Sequence, residues 1–122
     1  MKPRLFLNGT LKALAASTLA LAVGSISAAP SETKVFVSGQ DGYHTFRIPS
    51  IVSTNKGTLL AFCEGRKNSR SDTGNIDLVM KRSSDGGQSW SSMSVVWDDG
   101  SNTCGNPCPV VDRKTGTIHL LL

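Results

Sequence analysis

The chain has 122 residues, of which 39% are hydrophobic and 18% are charged, enough for at most one small domain. The ordinary apolar share and the net charge of +4 exclude an intrinsically disordered chain, and no apolar run reaches the roughly 20 residues that span a bilayer. Residues 1–29 contain Lys2, Arg4 and Lys12 and no acidic residue, so the rest of the chain carries only +1. The basic character belongs to the leader, and we expect no nucleic-acid partner.

Residues 1–29 have the three zones of a secretory signal peptide. Positive charge lies in residues 1–12, residues 13–23 are apolar except for two hydroxyl residues, and Ser27 and Ala29 place small side chains before a cut. The alternative is an ordinary N-terminal helix. We expect cleavage after Ala29, an exported protein (periplasmic or extracellular) and no lipid anchor, because no cysteine lies near the cut.

Beyond Pro30 the pattern is one of short β-strands separated by turns, without helical periodicity. The predicted strands cover residues 34–38, 46–54, 58–63, 76–82, 89–97, 109–112 and 117–122. Alternation in the fourth strand places Asp77 and Val79 on the face opposite Leu78, and Pro49 marks an edge or a bulge in the second. The spacing predicts an antiparallel all-β fold, as a sandwich, a barrel or a propeller. Because residues 118–122 form an apolar strand with no polar tail, we expect the chain to be the N-terminal part of a longer protein.

The three cysteines have different expected environments. Cys63 lies in an apolar run and is expected to be a buried thiol, whereas Cys104 and Cys108 could close a small disulfide loop in an exported protein. A zinc site needs four ligands, and no histidine pair has suitable spacing. No acidic cluster has the spacing of a calcium site, so we expect no metal and no cofactor.

The octapeptide that begins at Ser83 fits the pattern S-x-D-x-G-x-x-W between two predicted strands. Asp85 can accept backbone N–H bonds in a tight turn, Gly86 and Gly87 can adopt positive φ, and Trp90 can pack against its own sheet. The pattern resembles the Asp box of sialidases and other β-propellers, in which the first serine, the aspartate, the second glycine and the tryptophan are structural. The alternative is a plain hairpin turn.

Two further motifs also resemble the sialidase family. Phe-Arg-Ile-Pro at residues 46–49 is similar to the family's N-terminal signature, and the resemblance implies that Arg47 belongs to a triad that grips the sugar carboxylate, which a guanidinium matches bidentately. The Glu-Gly-Arg segment and the loop after it imply that Arg66 contacts the substrate near its 4-position and that Asp72 is the acid/base residue. The alternatives are a solvated strand arginine and an Asp72–Arg70 surface pair.

A last motif, Asn-Pro-Cys-Pro at residues 106–109, resembles the family's Asn-Pro-x-Pro turn. The resemblance makes Asn106 a candidate sugar contact, and the alternative is a turn residue ahead of proline. The motifs follow one another in the family order and cover about residues 35–122. The resemblance therefore implies that residues 30–122 are the N-terminal part of a six-bladed β-propeller, its first blade and part of the next.

The implied activity is that of an exo-α-sialidase, which removes terminal sialic acids from glycoproteins, gangliosides and oligosaccharides with retention. Sialidases use a tyrosine nucleophile in place of a second carboxylate, and Tyr43, the only tyrosine here, stands at the wrong place. We therefore expect the isolated chain to be inactive. The alternative is a non-catalytic Asp-box propeller that binds carbohydrate.

Overall fold

The computed structural model describes residues 32–122, so the predicted signal peptide lies outside the described residues. Six strands follow in chain order: β1 (Thr45–Ser53), β2 (Leu59–Arg66), β3 (Ile76–Ser83), β4 (Ser94–Trp97), β5 (Cys108–Val111) and β6 (Ile118–Leu121). Strands β1 to β4 pair in sequence order as one antiparallel sheet, and β5 and β6 form a separate antiparallel hairpin. The prediction of an antiparallel all-β fold is confirmed.

The central strands β2 and β3 are buried on both faces of the sheet. On one face, which we call the hairpin face, Leu60, Phe62 and Leu78 pack with Cys104, and the β5–β6 hairpin covers them through Ile118 and Leu120. On the other face, the aromatic face, Tyr43, Cys63 and Val79 pack against partly buried Phe36, Phe46 and Met93. Because adjacent residues of a strand point to opposite faces, the two apolar sets interleave along β2.

Asp77 and Val79 lie on the face opposite Leu78, as the alternation predicts, but both faces of β3 are buried. Asp77 is 1% exposed and Val79 is fully buried, because the segment before β1 lies over them. That segment includes residues 34–38, which were predicted to be a strand and are not. Its Phe36 ring instead packs on Phe46 with 5.3 Å between ring centroids, so apolar packing, and not strand pairing, accounts for its apolar residues.

Strand β1 contains a bulge directly after Arg47, as Pro49 predicted. Arg47 pairs with Glu64 and Ser50 pairs with Phe62, so Ile48 and Pro49 together oppose one residue of β2. Ile48 has φ +52°, a left-handed conformation that costs a β-branched residue about 1–2 kcal/mol. The extra residue shifts the alternation of side chains along the strand. Arg47 before the bulge and Ser50 and Val52 after it therefore all lie on the hairpin face.

The turn between β3 and β4 has the hydrogen bonds expected of an Asp box. Asp85 Oδ1 accepts bonds from Ser83 Oγ at 2.7 Å and from the Ser89 backbone N–H at 3.0 Å. Gly87 adopts φ +93°, and its carbonyl accepts the Trp90 indole N–H at 3.1 Å. Hydrogen bonds from Ser89 and Ser83 hold the pKa of Asp85 well below its usual value. Since Ser89 serves this turn, β4 begins only at Ser94 and not at residue 89 as predicted.

All three cysteines are free, so the disulfide considered for Cys104 and Cys108 does not form. Cys104 is buried in the apolar cluster on the hairpin face, whereas Cys108 is exposed at the start of β5. Cys63 is a buried thiol, as predicted. The described residues contain no helix long and apolar enough to cross a membrane.

Candidate functional site

The sheet brings Arg47, Arg66 and Asp72 together, although they lie on different elements. Arg47 stands opposite Glu64 in the β1–β2 register, so it shares the hairpin face with Glu64 and with Arg66 two residues further along β2. Asp72 lies in the loop between β2 and β3, which begins at that same end of the sheet. The site is therefore built where β1 starts, β2 ends and β3 starts.

A single carboxylate oxygen joins the two arginines. Asp72 Oδ1 lies 3.1 Å from Arg47 Nη1 and 2.7 Å from Arg66 Nη2. The Arg66 side chain is only 3% exposed, while those of Arg47 and Asp72 are 43% and 78% exposed. Among the described residues, Asp72 Oδ2 makes no hydrogen bond to protein. The cluster thus consists of a buried arginine, Arg66, a partly exposed arginine, Arg47, and an exposed carboxylate, Asp72, whose Oδ2 is hydrogen-bonded to neither arginine.

The environment of Asp72 favours its ionised form. The hydrogen bond from Arg66, then the charge of Arg66 and then that of Arg47 hold the pKa of Asp72 below its ordinary value. The surface pair with Arg70 that the sequence allowed is not formed. The backbone carbonyl of Arg70 instead accepts a hydrogen bond from Arg66 Nη1 at 2.6 Å, which ties the loop that carries Asp72 to the end of β2.

Beneath this cluster lies Glu64, which the sequence analysis did not single out. Its Oε2 accepts hydrogen bonds from Arg66 Nε at 3.0 Å and Arg66 Nη2 at 2.6 Å, and its Oε1 accepts the backbone N–H of Asn106 at 3.0 Å. Asn106 is exposed and adopts φ +54°. The signal in the sequence was an acid two residues before Arg66 in a strand, since such residues share a face.

The opposite face of the sheet carries a second polar network that the sequence did not predict. Tyr43 donates a hydrogen bond to Asp77 Oδ2 at 2.5 Å, and Lys67 Nζ lies 3.0 Å from the same oxygen. Burial and then the hydrogen bond to Asp77 raise the pKa of Tyr43 well above its usual value. Tyr43 is therefore a buried, neutral structural residue.

Two further observations concern metal binding and cavities in the part of the chain that the structure describes. Within residues 32–122 no group of three or more His, Cys, Asp or Glu side chains is arranged to hold a metal ion. An open cavity of about 420 Å³ lies at the opposite end of the sheet, beside the Asp box, and is lined by Thr58, Arg82, Trp90 and neighbouring serines. This cavity is separate from the arginine–aspartate cluster, because β2 and β3 are antiparallel and Arg82 and Arg66 therefore lie at opposite ends of the sheet.

The chain is similar in sequence to known sialidases. It is 46% identical over 87 residues to an exo-alpha-sialidase of Arthroderma benhamiae, an alignment that covers 66% of this chain and 21% of the relative. It is 35% identical over 122 residues to a sialidase of Micromonospora viridifaciens, covering 87% of this chain and 19% of the relative. No protein-family model matches the chain.

A solved structure agrees with these alignments. The Hadza microbial sialidase Hz136 superposes with a TM-score of 0.61 at 38% sequence identity, over 66% of this chain and 18% of that protein. The chain spans about a fifth of the length of the relatives that it matches. On the combined agreement of sequence and fold, the chain belongs to the sialidase family.

Proposed function

We propose that this chain supplies part of the active site of an exported exo-α-sialidase whose complete fold is a six-bladed β-propeller. The observation that carries the proposal is the cluster of Arg47, Arg66 and Asp72 on one end of the sheet. The four-stranded meander of β1 to β4 has the form of one blade, and the β5–β6 hairpin would begin the next. The substrates would be sialylated glycoproteins, gangliosides and oligosaccharides.

Arg47 is the residue we assign to the carboxylate of a terminal sialic acid. Its guanidinium is partly exposed and already holds one carboxylate, that of Asp72, at 3.1 Å. A guanidinium fork binds a substrate carboxylate in the same way, with two parallel hydrogen bonds when the geometry allows. Asp72 therefore stands in the place of the substrate, and sialoside binding would displace it from Arg47.

That displacement would prepare Asp72 for proton transfer. An aspartate whose pKa is held down by two arginines is a poor acid near neutral pH, because it is fully ionised. Once the substrate carboxylate shares the charge of Arg47, the pKa of Asp72 would rise, and Asp72 could take up a proton from solvent. Its Oδ2 would then donate this proton to the glycosidic oxygen as that oxygen leaves and the nucleophile bonds to the anomeric carbon. The same carboxylate would then activate water for the second step of a retaining reaction.

Arg66 and Asn106 are assigned to the sugar itself. Arg66 donates hydrogen bonds to Glu64, and the backbone N–H of Asn106 donates to the other oxygen of the same carboxylate. Tyr43, the single tyrosine of the chain, is not the nucleophile, because it is buried and bonded to Asp77. We therefore propose that the isolated chain does not turn over substrate and that the complete translation product of its reading frame does.

The test is hydrolysis of a fluorogenic α-sialoside by that complete product. We expect Asp72→Asn to lower kcat by about 10² or more, as loss of an acid/base group does, and Arg47→Ala to lower kcat/KM by about 10² or more. Matched controls are Asp41→Asn and Arg113→Ala, both at exposed turns away from the cluster, which should leave the rate unchanged.

Three results would contradict the proposal. Equal rates of sialoside hydrolysis by Asp72→Asn and Asp41→Asn would show that Asp72 is not the acid/base residue. Sialoside binding without release of sialic acid, with binding still lost in Arg47→Ala, would favour a non-catalytic carbohydrate-binding propeller. Preference for neutral glycosides would exclude a carboxylate-binding role for Arg47.

A further inference from the structure

Glu64 is a charged residue in the interior of the sheet, with 3% of its surface exposed. A buried carboxylate is tolerated only when it is paired and hydrogen-bonded. Both of its oxygens have partners, and the partners belong to different parts of the chain. Oε2 accepts the fork of Arg66, whereas Oε1 accepts the backbone N–H of Asn106, 42 residues away.

Gly105 lets the second segment approach this carboxylate. A Cβ added at Gly105 would lie 2.5 Å from Glu64 Oε1, so the Glu64 carboxylate or the segment itself would have to shift. The glycine is thus required by close approach, because it does not adopt a positive φ. From this position the next residue, Asn106, directs its N–H at the glutamate.

We infer that Glu64 is a positioning residue that fixes the Arg66 guanidinium and the Gly105–Asn106 turn relative to each other as one unit. The inference rests on the proposed function, in which Arg66 and Asn106 contact the sugar, Arg66 near its 4-position. Glu64 itself need not touch substrate. Its effect is to hold two recognition groups, one on β2 and one before β5, in a single geometry.

The chemistry of an amide shows why a carboxylate is needed. Both Glu64 oxygens accept hydrogen bonds, whereas glutamine offers one accepting oxygen and one donating NH₂. In Glu64→Gln the NH₂ must therefore face either the Arg66 fork or the Asn106 N–H, donor against donor. The substitution keeps the size of the side chain but breaks one of the two links whichever way the amide turns.

The first arm of the test does not depend on activity. In the wild-type protein the Arg66 Nε–H should exchange with solvent at least tenfold more slowly than the Nε–H of exposed Arg82, as followed by NMR. Glu64→Gln should shift the Arg66 Nε–H or the Asn106 amide resonance, while the matched control Glu32→Gln, at an exposed position, shifts neither. Exchange at Arg66 as fast as at Arg82 would overturn the inference, even if Glu64→Gln fails to fold.

The second arm compares kcat/KM for a fluorogenic sialoside and for its 4-deoxy analogue, using the complete translation product. Arg66→Ala should abolish the discrimination, and both Glu64→Gln and Gly105→Ala should lower it at least tenfold, with no further loss in the Glu64→Gln/Arg66→Ala double variant. A merely structural role would slow both substrates equally and keep the ratio, which would overturn the inference. Absence of hydrolysis in the wild type would instead contradict the proposed function, and the exchange rates of the first arm would then decide the role of Glu64.

Discussion

Gly65 lies between Glu64 and Arg66, and the structure predicts that adding a single methyl group there destabilises the sheet. A Cβ at Gly65 would lie 2.8 Å from both Cδ1 and Cε1 of Tyr43, where ordinary contact begins near 3.4 Å. The ring would have to retreat by about 0.6 Å. It is 6% exposed, its hydroxyl is bonded to Asp77, and it packs on Phe46 with 5.5 Å between centroids.

Overpacking of this kind costs about 1–3 kcal/mol, and replacing glycine within a strand returns about 0.5–1 kcal/mol. We therefore expect Gly65→Ala to lower the free energy of unfolding by about 1–2 kcal/mol, measured from urea denaturation followed by tryptophan fluorescence. In a Tyr43→Ala background, where the ring is absent, the same change should cost less than about 0.5 kcal/mol. An equal cost in both backgrounds, or a cost below about 0.5 kcal/mol in the wild type, would refute the steric explanation.

Two further predictions concern titratable groups. Exposed Cys108 should react with a thiol reagent in the native protein, whereas Cys63 and Cys104 should react only after denaturation. Burial and then the charge of Glu64 raise the pKa of Cys63 to about 12. Equal labelling of all three cysteines in the native protein, counted by mass spectrometry, would disprove this prediction. The pKa of Asp85 is lowered by folding, so its stabilisation is present above about pH 5 and is lost as the pH falls below its unfolded value of about 3.9. Asp85→Asn should therefore lower the urea midpoint of unfolding at pH 6 and reduce the decrease of that midpoint between pH 6 and pH 3. The control Ser84→Ala, at an exposed position, should leave this decrease unchanged. An unchanged decrease in Asp85→Asn would contradict the stabilising role of the Asp85 carboxylate.

The sequence was sufficient for those elements whose residues carry a local signal. The strands that became β1, β2, β3, β5 and β6 were predicted to within a few residues, because turn residues such as Gly57 and Gly116 bound them. The Asp box was predicted in detail, since Ser83, Asp85 and Gly87 satisfy one another within a single turn. Short-range hydrogen bonds and turn types can be predicted from a sequence, because the residues that form them are close together in the chain.

Contacts between residues far apart in the chain could not be predicted from the sequence. Glu64 was missed because its second partner, Asn106, lies 42 residues along the chain. The burial of Asp77 was not predicted, because nothing local shows that Tyr43 lies over it. The predicted strand at residues 34–38 failed for the same reason, since an apolar segment can be buried by packing over a sheet without pairing to it.

The carboxylate-binding role of Arg47 can be measured by calorimetric binding of N-acetylneuraminic acid and of its methyl ester to the complete translation product, with wild-type protein and Arg47→Ala. The two ligands differ in a single charge, which is the charge we assign to Arg47. We expect the wild type to prefer the acid at least tenfold and Arg47→Ala to lose most of this preference, because the favoured ligand carries the charge that Arg47 binds. Equal affinity of the wild type for acid and ester, or a preference that survives intact in Arg47→Ala, would contradict this role of Arg47.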